Sequence, residues 1–497
     1  MRLLVLYLLT VSTCFCQTPK PLRYSTEVGS YFSTSGQTPF WLRTNQFGIV
    51  SLDHSPLTVR QALHVDYHDA PRTKRDSLQA LNRRVDWGWR AEAVLNTGYN
   101  VRLIIPEAYV KVRVGPVEVW SGRRREIIGL VDTTLTSGSY TLSGNALPML
   151  KFQLAIREFW PRKGLLAIKG LYSHGWFEAD RFVRNTWLHE KALYVRLGKP
   201  NWRLKLYGGM NHEVMWGGTT TELSSSRIKN NLLPSTFRDY IDVVTASSLG
   251  ARTNVDTNRV SQFDRENRIG NHLGTVDLGF EYTGRSFAIF AYRQSIYEDG
   301  SLFHLTNLRD GLHGIRIRRL HSVKPRGLQI ETVLLEYLYT QNQGGSLFID
   351  NQEAQRGRDN YFNHSQYQDG WSRYGMTLGT PFITPSGNSR SDLPRYGFTN
   401  NNRVAVLHLG LSGHIADFVR FQLKASYSEN LGTYEVPFPE PVHQFSGLLD
   451  VSTRLPVFNG LTVNTAIATD IGRLYPASVG YYLSVRKEGQ NRKPTRR

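Results

Sequence analysis

Apolar and polar residues alternate with a period of two in one stretch of this chain after another. Val85, Trp87, Trp89, Ala91, Ala93 and Leu95 are interleaved with Asp86, Gly88, Arg90, Glu92 and Asn96. The same pattern sets Ala108, Val110, Val112 and Val114 against Tyr109, Lys111 and Arg113, and Val276, Leu278, Phe280 and Tyr282 against Asp277, Gly279 and Glu281. It returns late in the chain, where Val419, Phe421, Leu423, Ala425 and Tyr427 alternate with Arg420, Gln422, Lys424 and Ser426, and again over residues 461–471. Successive side chains of a strand point to opposite faces, so each stretch reads as a strand with one apolar and one polar face. Compact turn signals separate the stretches: "GKPN" at 198–201, "KPRG" at 324–327 and "NG" at 459–460. Turns this short join antiparallel neighbours.

The polar faces carry charges along their whole length, which a soluble sandwich with a large two-sheet core does not tolerate. A closed outer-membrane barrel does: the apolar face meets lipid, the polar face meets a wet lumen, and closure leaves no unpaired edge. The expected fold is therefore all-β, a transmembrane antiparallel β-barrel of about 18 strands in a single domain over residues 17–497. The N-terminus agrees. "MRLLVLYLLTVSTCFC" has a single charge, Arg2, then an apolar run too short to span a bilayer, and reads as a signal peptide over residues 1–16. Both cysteines of the chain lie inside it, so the mature chain has neither disulfides nor thiolate metal ligands.

Three segments break the rhythm. Residues 17–56 alternate poorly and are expected to form a plug-like piece within or beneath the barrel. Residues 213–274 are polar but contain "PSTFRDYIDVVTA", where Phe237, Tyr240, Ile241 and Val244 share one helical face after a Ser235 or Thr236 cap. Residues 341–402 form a long connection rich in Asn, Gly and Tyr, of a kind that is usually functional. The formal charge is +19, or +18 once Arg2 is removed, which favours anionic partners. Export leaves acidic polysaccharide and lipopolysaccharide phosphate as the expected ones, and no nucleic acid.

Six blocks carry a resemblance to a known family: "TPFWLRTNQFG" (38–48), "PEAYVKVRVGPVEVWSGRRREIIGL" (106–130), "SGSYTLSGNALPMLKFQLAI" (137–156), "SHGWFE" (173–178), "WLHEKALYVRLGKPNWRLKLYGGMNHEVMWGG" (187–218) and "DNYFNHSQYQDGWSRYGMTLGTPF" (359–382). They resemble the capsule assembly Wzi family in its Bacteroidetes form. The resemblance implies an eighteen-stranded outer-membrane barrel, with helical elements closing its periplasmic end. It also implies a non-enzymatic, lectin-like role: holding capsular polysaccharide or exopolysaccharide at the cell surface. A porin-like channel for small solutes is the alternative, and an outer-membrane hydrolase stands behind it. The expected setting is the outer membrane with its lipid and lipopolysaccharide, the expected state a monomer, and no cofactor is called for.

The aromatic loop "DNYFNHSQYQDGW" is the preferred glycan site. Tyr361, Tyr367 and Trp371 supply rings for the C–H faces of sugars, while Asp359, Asn360, Asn363 and His364 supply polar partners. The competing reading is a loop folded inward to fill the lumen. "GRRRE" adds Arg123, Arg124 and Arg125, whose guanidinium forks suit uronate or pyruvyl carboxylates. Their competing role is pairing with lumen carboxylates such as Glu107 and Glu126. "SHGWFE" invites a hydrolase or zinc site, but Ser173 and His174 are adjacent on a strand and so point to opposite faces, which separates nucleophile from base. His174 is expected among polar lumen side chains that tie strands together, sharing its face with Trp176, a further candidate sugar contact. Nothing in the spacing of His174, His189 and His212 demands a metal.

Overall fold

The computed structural model describes residues 20–491 except 54, 69–84, 99–100, 250–254, 257, 299–300, 303, 321–326 and 348–356. The proposed signal peptide and most of "KPRG" lie outside the described residues. Eighteen strands form one sheet. In chain order they are β1 (Arg23–Ser33), β2 (Thr58–Val65), β3 (Val85–Asn96), β4 (Arg102–Val114), β5 (Val117–Arg123) and β6 (Leu150–Trp160). Next come β7 (Leu166–Trp176), β8 (Trp187–Leu197), β9 (Leu204–Trp216), β10 (Asn271–Thr283), β11 (Phe287–Glu298) and β12 (Gly311–Arg319). The last six are β13 (Leu328–Tyr339), β14 (Val404–Ile415), β15 (Val419–Gly432), β16 (Pro437–Leu455), β17 (Leu461–Gly472) and β18 (Ser478–Gln490). Each strand pairs antiparallel with its sequence neighbours. β1 closes the ring on β18, in a register running from Arg23 opposite Gln490 to Ser33 opposite Gly480. The first part of the segment expected to be a plug is thus a wall strand. Only the connection after it turns inward.

The two faces follow the sequence pattern. In β6, Leu150, Phe152 and Leu154 are exposed on the outer side, while Lys151, Gln153 and Ala155 are buried on the inner side. Inside, charges are paired across strands: Lys151 Nζ lies 2.6 Å from Glu190 and 3.4 Å from Glu126, and Glu190 also accepts from Ser173 Oγ at 2.7 Å. A buried ammonium held this way stiffens the wall, and removing either partner leaves the other charge unpaired.

Chain ends and tight turns, such as 115–116, 284–286 and 416–418, share one rim, and the longest described connections, 124–149, 217–270 and 340–403, share the other. In outer-membrane barrels the short turns are periplasmic. Among the described residues the α-helices, α1 (Phe40–Arg43), α2 (Phe237–Thr245) and α3 (Gln262–Glu266), belong to connections at the opposite rim. Helix α2 starts where expected, with Thr236 in a reciprocal capping box with Asp239. Its packed side is different: Asp239, Asp242 and Val243 are buried, whereas Phe237 is 78% and Ile241 48% exposed. The helix lies against the outside of the barrel wall with its stripe divided: Tyr240 packs on Trp216 at 5.2 Å and meets Tyr172 Oη at 2.8 Å, while Phe237 and Ile241 stay exposed.

The described parts of connections 34–57, 124–149 and 340–403 fold into the lumen and touch the inner wall at several strands. Trp41 Nε1 donates to Ser426 at 3.2 Å, and His408 Nε2 is 2.7 Å from the Leu135 carbonyl. Ser137 N donates to Glu336 at 2.6 Å, Leu130 N to Asp277 at 2.8 Å, and Tyr140 Oη to Glu298 at 2.8 Å. The segments also pack on one another closely enough to need glycine: a Cβ on Gly379 would lie 1.8 Å from the Tyr140 carbonyl oxygen.

Candidate functional site

The loop expected to present rings to a sugar is the centre of this plug. Tyr361 is 0%, Tyr367 2% and Trp371 1% exposed, and all three belong to one apolar cluster with Tyr140, Met149, Phe177 and Ile296. Trp371 Nε1 donates to the Thr141 carbonyl at 2.7 Å, and Tyr361 Oη donates to Asp310 at 2.7 Å while accepting from Asn307 at 3.0 Å. Tyr367 Oη donates to the Gly217 carbonyl at 3.2 Å. Rings enclosed on both faces offer no stacking platform, so the inward-folded reading describes them, and they are corrected from sugar contacts to plug core. Asp359 is buried as well.

Three polar members of the loop keep a partly open edge. Asn360 Oδ1 accepts from Asn363 at 2.9 Å and from Asn402 at 2.6 Å, and Asn360 Nδ2 donates to Tyr396 Oη at 3.3 Å. Asn363 makes a two-way amide contact with the Thr399 backbone at 2.9 and 3.0 Å. His364 Nδ1 accepts from the backbone N–H groups of Gln366 and Tyr367 at 3.2 and 3.3 Å. These side chains are only half-buried and still present hydrogen-bonding edges at the long-connection rim.

The arginines separate. Arg124 is buried, 2.7 Å from Glu118, with its guanidinium over the Tyr109 ring. Its carboxylate partner is Glu118; Arg125 takes the expected Glu107, which also pairs with Arg90, and Glu126 pairs with Lys151. Arg123 is half-exposed at the end of β5, with Nη1 3.4 Å from the Ile105 carbonyl.

"SHGWFE" divides between the two faces. Ser173 points inward to Glu190, as its alternation requires. His174 and Trp176 do not face the lumen. They lie on the outer face, with His174 directly opposite His189 on β8 and its ring 5.1 Å from that of Trp176. Both expected placements are corrected: alternation told the two faces apart but did not say which one looks inward. Among the described residues no group of three or more His, Cys, Asp or Glu side chains converges as a metal site.

Sequence reasoning missed Arg181, the pin of the plug. Its buried guanidinium reaches Glu178 at 2.9 Å, the Ser372 carbonyl at 2.7 Å and the Gly370 carbonyl at 3.2 Å, with Asp369 at 3.7 Å. Glu178, the last residue of "SHGWFE", also accepts from Tyr374 N at 3.0 Å. The i,i+3 spacing of Glu178 and Arg181 was legible; their common target, some 190 residues later in the chain, was not.

Two titratable groups, Asp310 beside the plug and His364 within it, pull in opposite directions. Burial pushes Asp310 up to about 6, against the opposing help of Tyr361 and two backbone N–H donors. Burial, with Arg227 adding to it, holds His364 down near 4. The depressed histidine stabilises docking above its usual 6.5 and loses that contribution as pH falls toward 4. The raised carboxyl does the reverse, contributing at low pH and losing as pH rises from 3.8 to about 6. Hydrogen exchange of the 359–373 amides is therefore expected to change little between pH 6.5 and 4 after correction for intrinsic rate. In Asp310→Asn one opposing carboxyl is gone, and protection should fall with acid more than in the parent. A variant as flat as the parent would show that His364 does not govern docking.

The lumen also holds a cavity of about 390 Å³ against β6–β8, bordered by Arg125, Glu126, Gln153, Arg157, Lys169 and Tyr194. A second of about 380 Å³ lies on the outer wall under the start of α2.

Among solved structures the chain is similar to the Escherichia coli outer-membrane protein Wzi, described as a carbohydrate-binding β-barrel involved in group 1 capsule assembly. The match has 15% identity and a TM-score of 0.55, covering 93% of this chain and 84% of that one. At that identity the likeness shows the fold. Pseudomonas aeruginosa OccK5 matches at 8% identity over 95% of this chain and 98% of its own, with a TM-score of 0.46. No curated protein sequence matches. The model of the capsule assembly protein Wzi family matches residues 45–469, most of the chain, and the chain belongs to that family.

Proposed function

We propose that this protein is a non-enzymatic lectin of the outer membrane that binds acidic capsular polysaccharide or exopolysaccharide and retains it at the cell surface. Family membership over residues 45–469 is the observation that carries the reading. The inward-folded connections support it against a diffusion channel, because a lumen crossed by buried side chains has little room for solute. The E. coli relative's description as carbohydrate-binding supports the ligand class. Asn360, Asn363, His364 and Arg123, with polar edges left at or near the wall, are the proposed contacts. The mature chain is proposed to act as a monomer surrounded by lipid and lipopolysaccharide, after cleavage of residues 1–16.

Deletion of the gene is expected to leave polymer synthesis intact and to shift polysaccharide from the cell to the medium. Loss of the polymer itself, with none free, would overturn retention. The purified barrel should bind the producer's polymer more weakly as salt shortens the Debye length from about 30 Å at 0.01 M to about 8 Å at 0.15 M. Binding flat across that range would assign recognition to uncharged contacts instead.

A further inference from the structure

The outer-wall cavity lies between the ends of β7, β8 and β9 and the first turn of α2. Trp176, Trp187, Trp216, Phe237, Tyr240 and His174 line this open groove, with Ser235 and Thr236 beside them. No ammonium, guanidinium or carboxylate lines it. The Thr236 hydroxyl is already engaged with Asp239. Neighbouring outward side chains are those of a lipid-facing wall: Tyr172, Leu193 and Met210 are 42%, 52% and 50% exposed. Helix α2 continues this apolar surface through Phe237 and Ile241.

One atom breaks the apolar character. Trp216 is 3% exposed, its ring packed 4.6 Å from Trp187 and 5.2 Å from Tyr240, and its Nε1–H is buried with no hydrogen-bond partner among the described residues. A buried donor without an acceptor costs about 1–3 kcal/mol. Tryptophans at barrel ends form the girdle at headgroup level, where the ring meets chains and the N–H meets polar lipid groups. The acceptors abundant at that depth are the ester carbonyls that join acyl chains to headgroups.

We propose that this pocket binds one acyl chain of an ester-linked membrane lipid, with the ester carbonyl accepting from Trp216 Nε1 and the chain lying against Trp176, Trp187 and Phe237. A sugar fits the same place poorly. Its hydroxyls need several partners, and the pocket offers few beyond His174 and the Ser235 hydroxyl.

The test is lipid retention by the full mature chain, purified in mild detergent and measured by native mass spectrometry. The probes are ester-linked phosphatidylethanolamine, its diether analogue, and lipopolysaccharide. The parent should hold the ester lipid about fivefold more tightly than the diether, the share of one net hydrogen bond. Trp216→Phe keeps an aromatic ring, removes the donor, and should bring the ester lipid to the diether level without changing the diether. Phe237→Ser, at an exposed position that leaves the heat-modifiable barrel intact, should weaken all the lipids. Lipopolysaccharide held in preference to the phospholipid, with the same Trp216 dependence, supports the proposal and names its acyl chains as the source. Equal retention of ester and diether by the parent overturns it, as does Trp216→Phe behaving like the parent. Displacement of the lipid by soluble polysaccharide would also overturn it and make the pocket a glycan site.

Discussion

Trp371→Ala is expected to open the barrel to ions while leaving its wall folded. The indole fills the plug interior, meets Phe177 edge-on at 6.4 Å and bonds to Thr141, and its own backbone amide donates to Phe362 at 2.8 Å. Truncating a buried aromatic to alanine costs about 3–5 kcal/mol, from lost transfer energy and the cavity left behind. The loss falls on docking of 359–378 and not on the wall, whose strands are held by their own ladders. Single-channel recordings should show a parent that conducts little and a variant with frequent openings, both with the heat-shifted mobility of a folded barrel. A variant as closed as the parent would mean that other connections occlude the lumen without this one. A parent with a steady open conductance would favour the channel reading over the lectin.

Arg181→Met is expected to release the same segment by a different route. The substitution keeps an apolar stem but leaves Glu178 without its nearest cation and the Ser372 and Gly370 carbonyls without a donor. Breaking a buried pair by removing one partner costs about 3–5 kcal/mol, because the remaining charge stays desolvated. Limited proteolysis should then cut within 359–378 in the variant and not in the parent. Adding Glu178→Gln removes the stranded charge, so the double variant should be cut more slowly than Arg181→Met alone. If the double variant is cut faster, the Glu178 carboxylate itself holds the segment, through Tyr374 N at 3.0 Å and Arg373 at 3.8 Å.

Wall and plug were unequally legible in the sequence. Val85 to Leu95 read as a strand with its tryptophans outward, and so it is, because a strand's two faces are set by neighbours two residues apart. The cap of α2 was legible for the same reason: Thr236 and Asp239 lie within one turn of each other. The helix's packing was not, since the wall residues that take Tyr240 and leave Phe237 exposed, among them Tyr172, lie far away in the chain. Trp371 shows the limit most plainly. Its aromatic, polar-flanked setting suits a sugar platform and a plug core equally, and the partner that decides, Thr141, lies 230 residues away in the chain.

The sequence by itself determined that the chain is a barrel of antiparallel strands, where most strands run, that Ser173 and His174 cannot share a face, and which family the blocks resemble. Those features are local, or they are patterns that any closed two-faced sheet must repeat. Tertiary structure alone decided that His174 and Trp176 look outward, that three connections fold into the lumen, that Arg181 pins one of them through Gly370 and Ser372 and that α2 rides on the outer wall. Each of these depends on which distant segments meet once the ring closes. Alternation with a period of two separates two faces without naming them, and only closure gives one of them to lipid and the other to the plug.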